Sequence, residues 1–124
     1  MAQQVYALAL RGMGRGAAPA IPELITALKD PAATVRMSAA LTLGAVGPAA
    51  NSAVPALTSL VDIPDLSKLT NDGVQVIRNA TYALGDIGPD ARPAIPALMR
   101  ITHVRIQYIA QEAVAKIEGK PVAK

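Results

Sequence analysis

The stretch "GPAANSAVPAL", residues 47–57, returns as "GPDARPAIPAL" at 88–98 and, more loosely, as "GRGAAPAIPEL" at 14–24. In each copy a glycine (Gly14, Gly47, Gly88) stands eight residues ahead of a proline (Pro22, Pro55, Pro96). A separation held constant three times implies one local geometry built three times. A proline in the first turn of a helix gives up nothing, because the amide hydrogen it lacks has no intrahelical acceptor. "PELITALKD", "PALTSLVD" and "PALMRI" therefore read as short helices opening at or near Pro22, Pro55 and Pro96, each behind the same turn.

Upstream of the glycine the copies agree again. "VRMSAALTLGAVG" (35–47) lies over "VIRNATYALGDIG" (76–88), pairing Val35 with Val76, Ala39 with Ala80, Leu43 with Leu84 and Gly44 with Gly85. Apolar residues at these spacings form one face of a helix. Gly44 and Gly85 fall near its C-terminus, where glycine is expected to take the left-handed conformation that ends helices. Each copy is thus a helix, a turn and a second helix, with alanine where the two approach closely. One such pair cannot bury its apolar face alone, and stacked neighbours bury it for each other. The period is 33 residues from Pro22 to Pro55 and 41 from Pro55 to Pro96. From proline to the next helix's valine the distance is 13 in the first case (Val35) and 21 in the second (Val76). The extra residues therefore sit in "DIPDLSKLTND", 62–72, expected to be a polar loop inside one unit.

Composition agrees with this architecture. The chain of 124 residues lies in the single-domain range. It is 52% apolar but only 2% aromatic, with no Phe and no Trp, so its core must be Ala, Leu, Ile and Val in closely spaced elements. The net charge of +3 comes from 12 Lys and Arg against 9 Asp and Glu, with no basic run, and is a solubility feature before it is a nucleic-acid signal. Zero cysteines remove thiol catalysis, disulfides and thiolate metal sites. The start lacks a basic region before its apolar stretch, and no run is expected to approach the ~20 apolar residues of a membrane span. A soluble chain is expected, with cytoplasm and periplasm both open.

The phrase V-R-x-x-A-A-x-x-L-G-x-V-G-P at 35–48, followed by A-V-P-A-L at 53–57, resembles the bacterial HEAT repeat, including the HEAT-like repeats of phycobilisome lyases. The likeness covers nearly the whole chain. It implies an all-α fold, an α-solenoid of HEAT-like helical hairpins with about three and a half repeats and seven helices, first helices on the convex side and second helices on the concave side. Residues 1–119 then form one domain, with a half repeat at 1–13 holding an orphan helix (3–12), units at 14–47, 48–88 and 89–119, and a polar tail at 120–124. Gly44, Gly47, Pro55, Gly85, Gly88 and Pro96 are its structural punctuation. In the family, an Asp near the end of the first helix and the Arg after the Val form a ladder between repeats, a pattern that Asp30 and Arg36 match. The next unit departs from it, with Ile77 at the Arg position and Arg78 one place later, and the last has Gln107 there.

The residues that carry chemistry are sparse. His103 is the only histidine, in the turn of the last pair, where an exposed and inert side chain is expected. Without a second His or any Cys, no ordinary zinc site is expected. Ser38, Ser52, Ser59 and Ser67 lack a strand-turn-helix nucleophile setting. "GMGRG" at 12–16 follows a helix and lacks the G-K-[ST] ending of a phosphate loop. Asp86 and Asp90 flank "GDIGPD" and read as capping or solvating that turn. HEAT-repeat hydroxylases bind iron through repeated His-Glu pairs, which this chain does not have. No catalytic residue, metal or cofactor is expected.

What remains is a surface. The repeat frame turns Gln4, Val5 and Leu8, then Met37, Ser38 and Leu41, then Arg78, Asn79 and Tyr82, then Tyr108, Ile109 and Glu112 toward a groove. This stripe is apolar for solvent, and contiguous exposed apolar patches commonly mark interaction sites. Leu8, Met37, Leu41, Arg78, Tyr82, Tyr108 and Glu112 are the candidate partner-binding residues, with Arg78 placed to meet an acidic group of a ligand or Glu112. A rotation of the helices would bury part of the set instead. The leading reading is a noncatalytic protein-protein interaction module, a scaffold or assembly subunit of a larger bacterial complex, with its open N-terminal end as a second contact. One alternative is an accessory protein related to phycobilisome lyases, handling a chromophore or cofactor, which would need a deeper pocket. Another is nucleic-acid binding, as in HEAT-like DNA glycosylases, against which stand a single groove Arg and the absence of Trp and Phe for stacking.

Overall fold

The computed structural model describes residues 14–63 and 69–120. The helix expected at 3–12, with Leu8, lies outside them, as do the middle of the insertion and residues 121–124. Among the described residues every regular element is helical. The α-helices are α1 (Ile21–Ala27), α2 (Ala33–Val46), α3 (Val54–Val61), α4 (Asn71–Ile87), α5 (Ile95–Met99) and α6 (Gln107–Glu118). Three 3-10 segments, Gly14–Ala20, Gly47–Ala53 and Pro89–Ala94, lead into α1, α3 and α5.

Those segments are what the repeated stretch encodes. A 3-10 helix completes a turn every three residues, so residues three apart share a face. Alanines stand three and six residues after each repeated glycine, and Ala17, Ala20, Ala50, Ala53, Ala91 and Ala94 are all buried. A larger side chain there would lift the segment off the helices beneath it. Pro22, Pro55 and Pro96 occupy the second position of α1, α3 and α5, as their spacing suggests.

Two glycine positions in each unit do different work. Gly47 and Gly88 have φ of 81° and 86° with ψ near −144° and −142°, a region that residues with a Cβ rarely enter, and they stop α2 and α4. Gly44 and Gly85 are not left-handed, which corrects the sequence expectation. They sit inside the helices, where a Cβ on Gly44 would stand 3.2 Å from the Cα of Ala83, and one on Gly85 would stand 3.2 Å from the Cα of Ala113. Their bare backbones let α2, α4 and α6 approach side by side. In α6 the corresponding position is Ala115.

Helix α4 packs between α2 and α6, while α1, α3 and α5 pack against α2, α4 and α6 respectively and meet one another largely through the 3-10 segments. The interior is aliphatic, with Leu24, Leu43, Leu57, Leu84, Leu98 and Ile106 fully buried. Polar side chains stitch neighbouring units together. Asn79 Nδ2 donates to the carbonyl oxygen of Met37 at 3.1 Å, Asn51 Nδ2 donates to Asp90 Oδ2 at 3.0 Å, and Arg100 pairs with Asp62 at 2.9 Å.

Asp30 and Arg36 act within one unit. Arg36 Nη1 donates to the carbonyl oxygens of Asp30 at 2.7 Å and Pro31 at 2.9 Å, while Asp30 Oδ1 accepts from the amide of Ala32 at 2.9 Å. The pair closes the turn between α1 and α2, where the resemblance implied a ladder between repeats. Ile77, at the next Arg position, is buried. The insertion also differs from expectation. Thr70 caps α4 by accepting from the amide of Gly73 at 3.0 Å, so Asn71 and Asp72 belong to the helix, which gains a turn ahead of Val76.

One stretch, Ala33–Val61, is long and apolar enough to cross a membrane by length and composition, with mean hydropathy 1.2. The expectation that no run approaches a span is corrected to that extent. Gly47 nevertheless breaks the stretch into α2 and α3, and 56% of its most apolar window is buried inside the fold.

Candidate functional site

The aligned and buried Val35, Val76 and Ile106 set α2, α4 and α6 in the same rotation, so equivalent residues of the three helices form rows across one face. Met37, Arg78 and Tyr108 make one row. Leu41, Tyr82 and Glu112 make the next, one helical turn along. Ala45, Asp86 and Lys116 follow, and in this third row Lys116 Nζ pairs with Asp86 Oδ1 at 3.5 Å.

Leu41, Tyr82 and Tyr108 are 36%, 40% and 61% exposed, while Met37, Arg78 and Glu112 are half-buried among them. Other residues of the expected stripe turn inward. Ser38 and Ile109 are buried, and Asn79 is engaged with the backbone of α2. The face is therefore narrower than the stripe read from the sequence.

No hydrogen bond or ion pair links Arg78 to Glu112. Glu112 instead acts on Tyr108, one turn before it. Its carboxylate repels the phenolate and accepts the phenol's hydrogen bond, pushing the Tyr108 hydroxyl above its ordinary value; burial and the neighbouring Tyr82 add to the effect. The Nε of Arg78 is buried without a hydrogen-bond partner among the described residues. Between α4 and α6, Tyr82, Gly85, Glu112 and Lys116 border a dimple of only about 10 Å³.

Two larger depressions lie on the α6 side and were not legible in the sequence. One, about 260 Å³, is lined by Leu98, Met99, Ile101, Gln107, Gln111 and Val114; the other, about 200 Å³, by Tyr108, Glu112, Ala115 and Glu118 among others. Gln111 takes the place of the buried Ala40 and Thr81 of earlier units, which is the signal that marks this face as different. His103 is half-buried and structural: its Nδ1 accepts from the amide of Arg105 at 3.1 Å and its carbonyl receives the amides of Ile106 and Gln107 at the start of α6. Among the described residues, no three of His, Asp and Glu gather as a metal site would need.

No curated protein and no solved structure matches the chain. A family profile described as HEAT repeats matches residues 1–77, which takes in α1, α2, α3 and the opening of α4. Beyond residue 77 the internal copies carry the same pattern through Gly88 and Pro96. With more than half of its length matched and with stacked helical hairpins in its structure, the chain belongs to the HEAT-repeat family.

Proposed function

We propose that the chain is a noncatalytic interaction module, a scaffold or assembly subunit of a larger bacterial complex, working as an α-solenoid that holds a protein segment against the face of α2, α4 and α6. One observation carries the reading: Leu41, Tyr82 and Tyr108 stand exposed on three adjacent helices, in rows that the repeat itself aligns. Single exposed apolar residues are ordinary, but an aligned set on neighbouring helices forms a patch of the kind that proteins use for recognition. Tyrosines suit such a patch because they offer a large apolar body and a polar tip at little entropic cost. The two depressions fall below the ~300–1,000 Å³ usual for small-molecule sites, which favours a protein partner over a chromophore. Arg78 is the only cation in the two central rows, which favours a protein over a nucleic acid.

The test is site-specific photocrosslinking in the organism that makes the protein. A photoreactive residue in place of Tyr82 should give a discrete protein adduct, whereas one in place of Ser59, exposed on α3, should not. Leu41→Asp should abolish the adduct while leaving the far-ultraviolet circular dichroism intact. Equal labelling from both positions, or labelling indifferent to Leu41→Asp, would refute the reading.

A further inference from the structure

We infer that the occupant of this face is an extended polyproline-II segment bearing a single carboxylate, which seats on Arg78 with an apolar side chain three residues to either side. The inference deepens the interaction reading above and rests on it.

Charge is the first argument. In the third row Asp86 has Lys116 for a partner, and Glu112 lies one turn from Tyr108 on its own helix. Arg78, in the middle helix, has no hydrogen bond or ion pair among the described residues, and its Nε is buried without an acceptor there. A buried donor left unsatisfied is costly, and a guanidinium that swings outward presents Nε and one Nη as a fork that fits a carboxylate with two parallel bonds. The flanking row positions are Met37 and Tyr108, so the group that meets Arg78 arrives between apolar neighbours. A second carboxylate over α6 would meet Glu112 and be repelled, which limits the segment to one.

Spacing is the second argument. Helices packed side by side have axes about 8–10 Å apart, and the contacts of Gly44 with Ala83 and of Gly85 with Ala113 keep these three close. A partner that contacts each helix once must present a side chain on the same side at that interval. A polyproline-II chain repeats its face every three residues, about 9 Å along its axis. A β-strand puts residues three apart on opposite sides. An α-helix advances only about 4.5 Å over three residues and returns to the same side after seven, about 10.5 Å, beyond the interval between these axes. The exposed rings of Tyr82 and Tyr108 add the aromatic ridges on which proline-rich segments dock.

The probe is the peptide acetyl-Leu-Pro-Pro-Glu-Pro-Pro-Leu-amide and its Gln counterpart, titrated into the ¹⁵N-labelled protein. Amide shifts should cluster around 37–41, 78–82 and 108–112, and the Glu peptide should bind at least tenfold more tightly than the Gln peptide. Arg78→Met, which keeps the aliphatic stem, should erase that preference, and Tyr82→Ala should weaken both peptides. Equal affinity of the two peptides, a preference that survives Arg78→Met, or no binding by either would overturn the inference. Saturable shifts at the same residues when the protein alone is concentrated would assign the face to a second copy and also overturn it. These failures differ from failure of the broader reading, because crosslinking from Tyr82 does not depend on the peptides.

Discussion

Tyr108 is more exposed than Tyr82 on the face of α2, α4 and α6, yet its phenol holds its proton beyond the ordinary value because Glu112 lies one turn away. Replacing Glu112 with Gln removes the repelling charge, so one tyrosine should ionise at lower pH when tyrosinate absorbance is followed during an alkaline titration. An unchanged curve would show that Glu112 does not govern this group. The sign for folding follows from the raised value: the folded chain favours the neutral phenol, so its contribution is present below the ordinary pKa of 10.0 and is lost as pH rises through the shifted one. At this scale the sequence was partly legible. Gly44 and Gly85 stood out by repetition, but their purpose was misread, because periodicity does not place a helix end to within three residues. Arg36 and Asp30 were expected in a ladder between repeats, but they close a turn within one unit: turn carbonyls take the guanidinium, and no sequence pattern displays them.

The joint between elements is the contact of a bare glycine with an alanine on the next helix. Gly85→Ala gains about 1 kcal/mol of helix propensity, but it drives a methyl to 3.2 Å from the Cα and 3.3 Å from the Cβ of Ala113. Neither atom can swing aside, and overpacking of this kind costs about 1–3 kcal/mol. We therefore expect a net loss of about 1 kcal/mol in urea denaturation, and a more stable variant would contradict the packing argument. The helices themselves were legible, since proline and apolar spacing set α1 to α6. The 3-10 segments were not, because their alanines carry no turn signature and reveal their three-residue period only once burial is known. The cap at Thr70 was hidden in a stretch polar enough to read as loop.

Across the whole molecule, stability should be graded along the stack. Units that touch only their neighbours gain most where they have two, so α4, flanked by α2 and α6, should show the slowest amide hydrogen exchange of the six helices. Uniform protection would mean that the stack opens only as one body. The exposed face of α2, α4 and α6 was legible as a row of equivalent positions, but its width was not: a modest turn of each helix buried Ser38 and Ile109 and left Leu41, Tyr82 and Tyr108 outside. The joint has a consequence for how such a molecule changes length. Gly85 would meet Ala83 of a duplicated 48–88 segment as Gly44 already meets Ala83, and the glycine of the duplicate would meet Ala113. A longer ruler is then made by copying one cassette of sequence, with no new surface to be evolved at either seam.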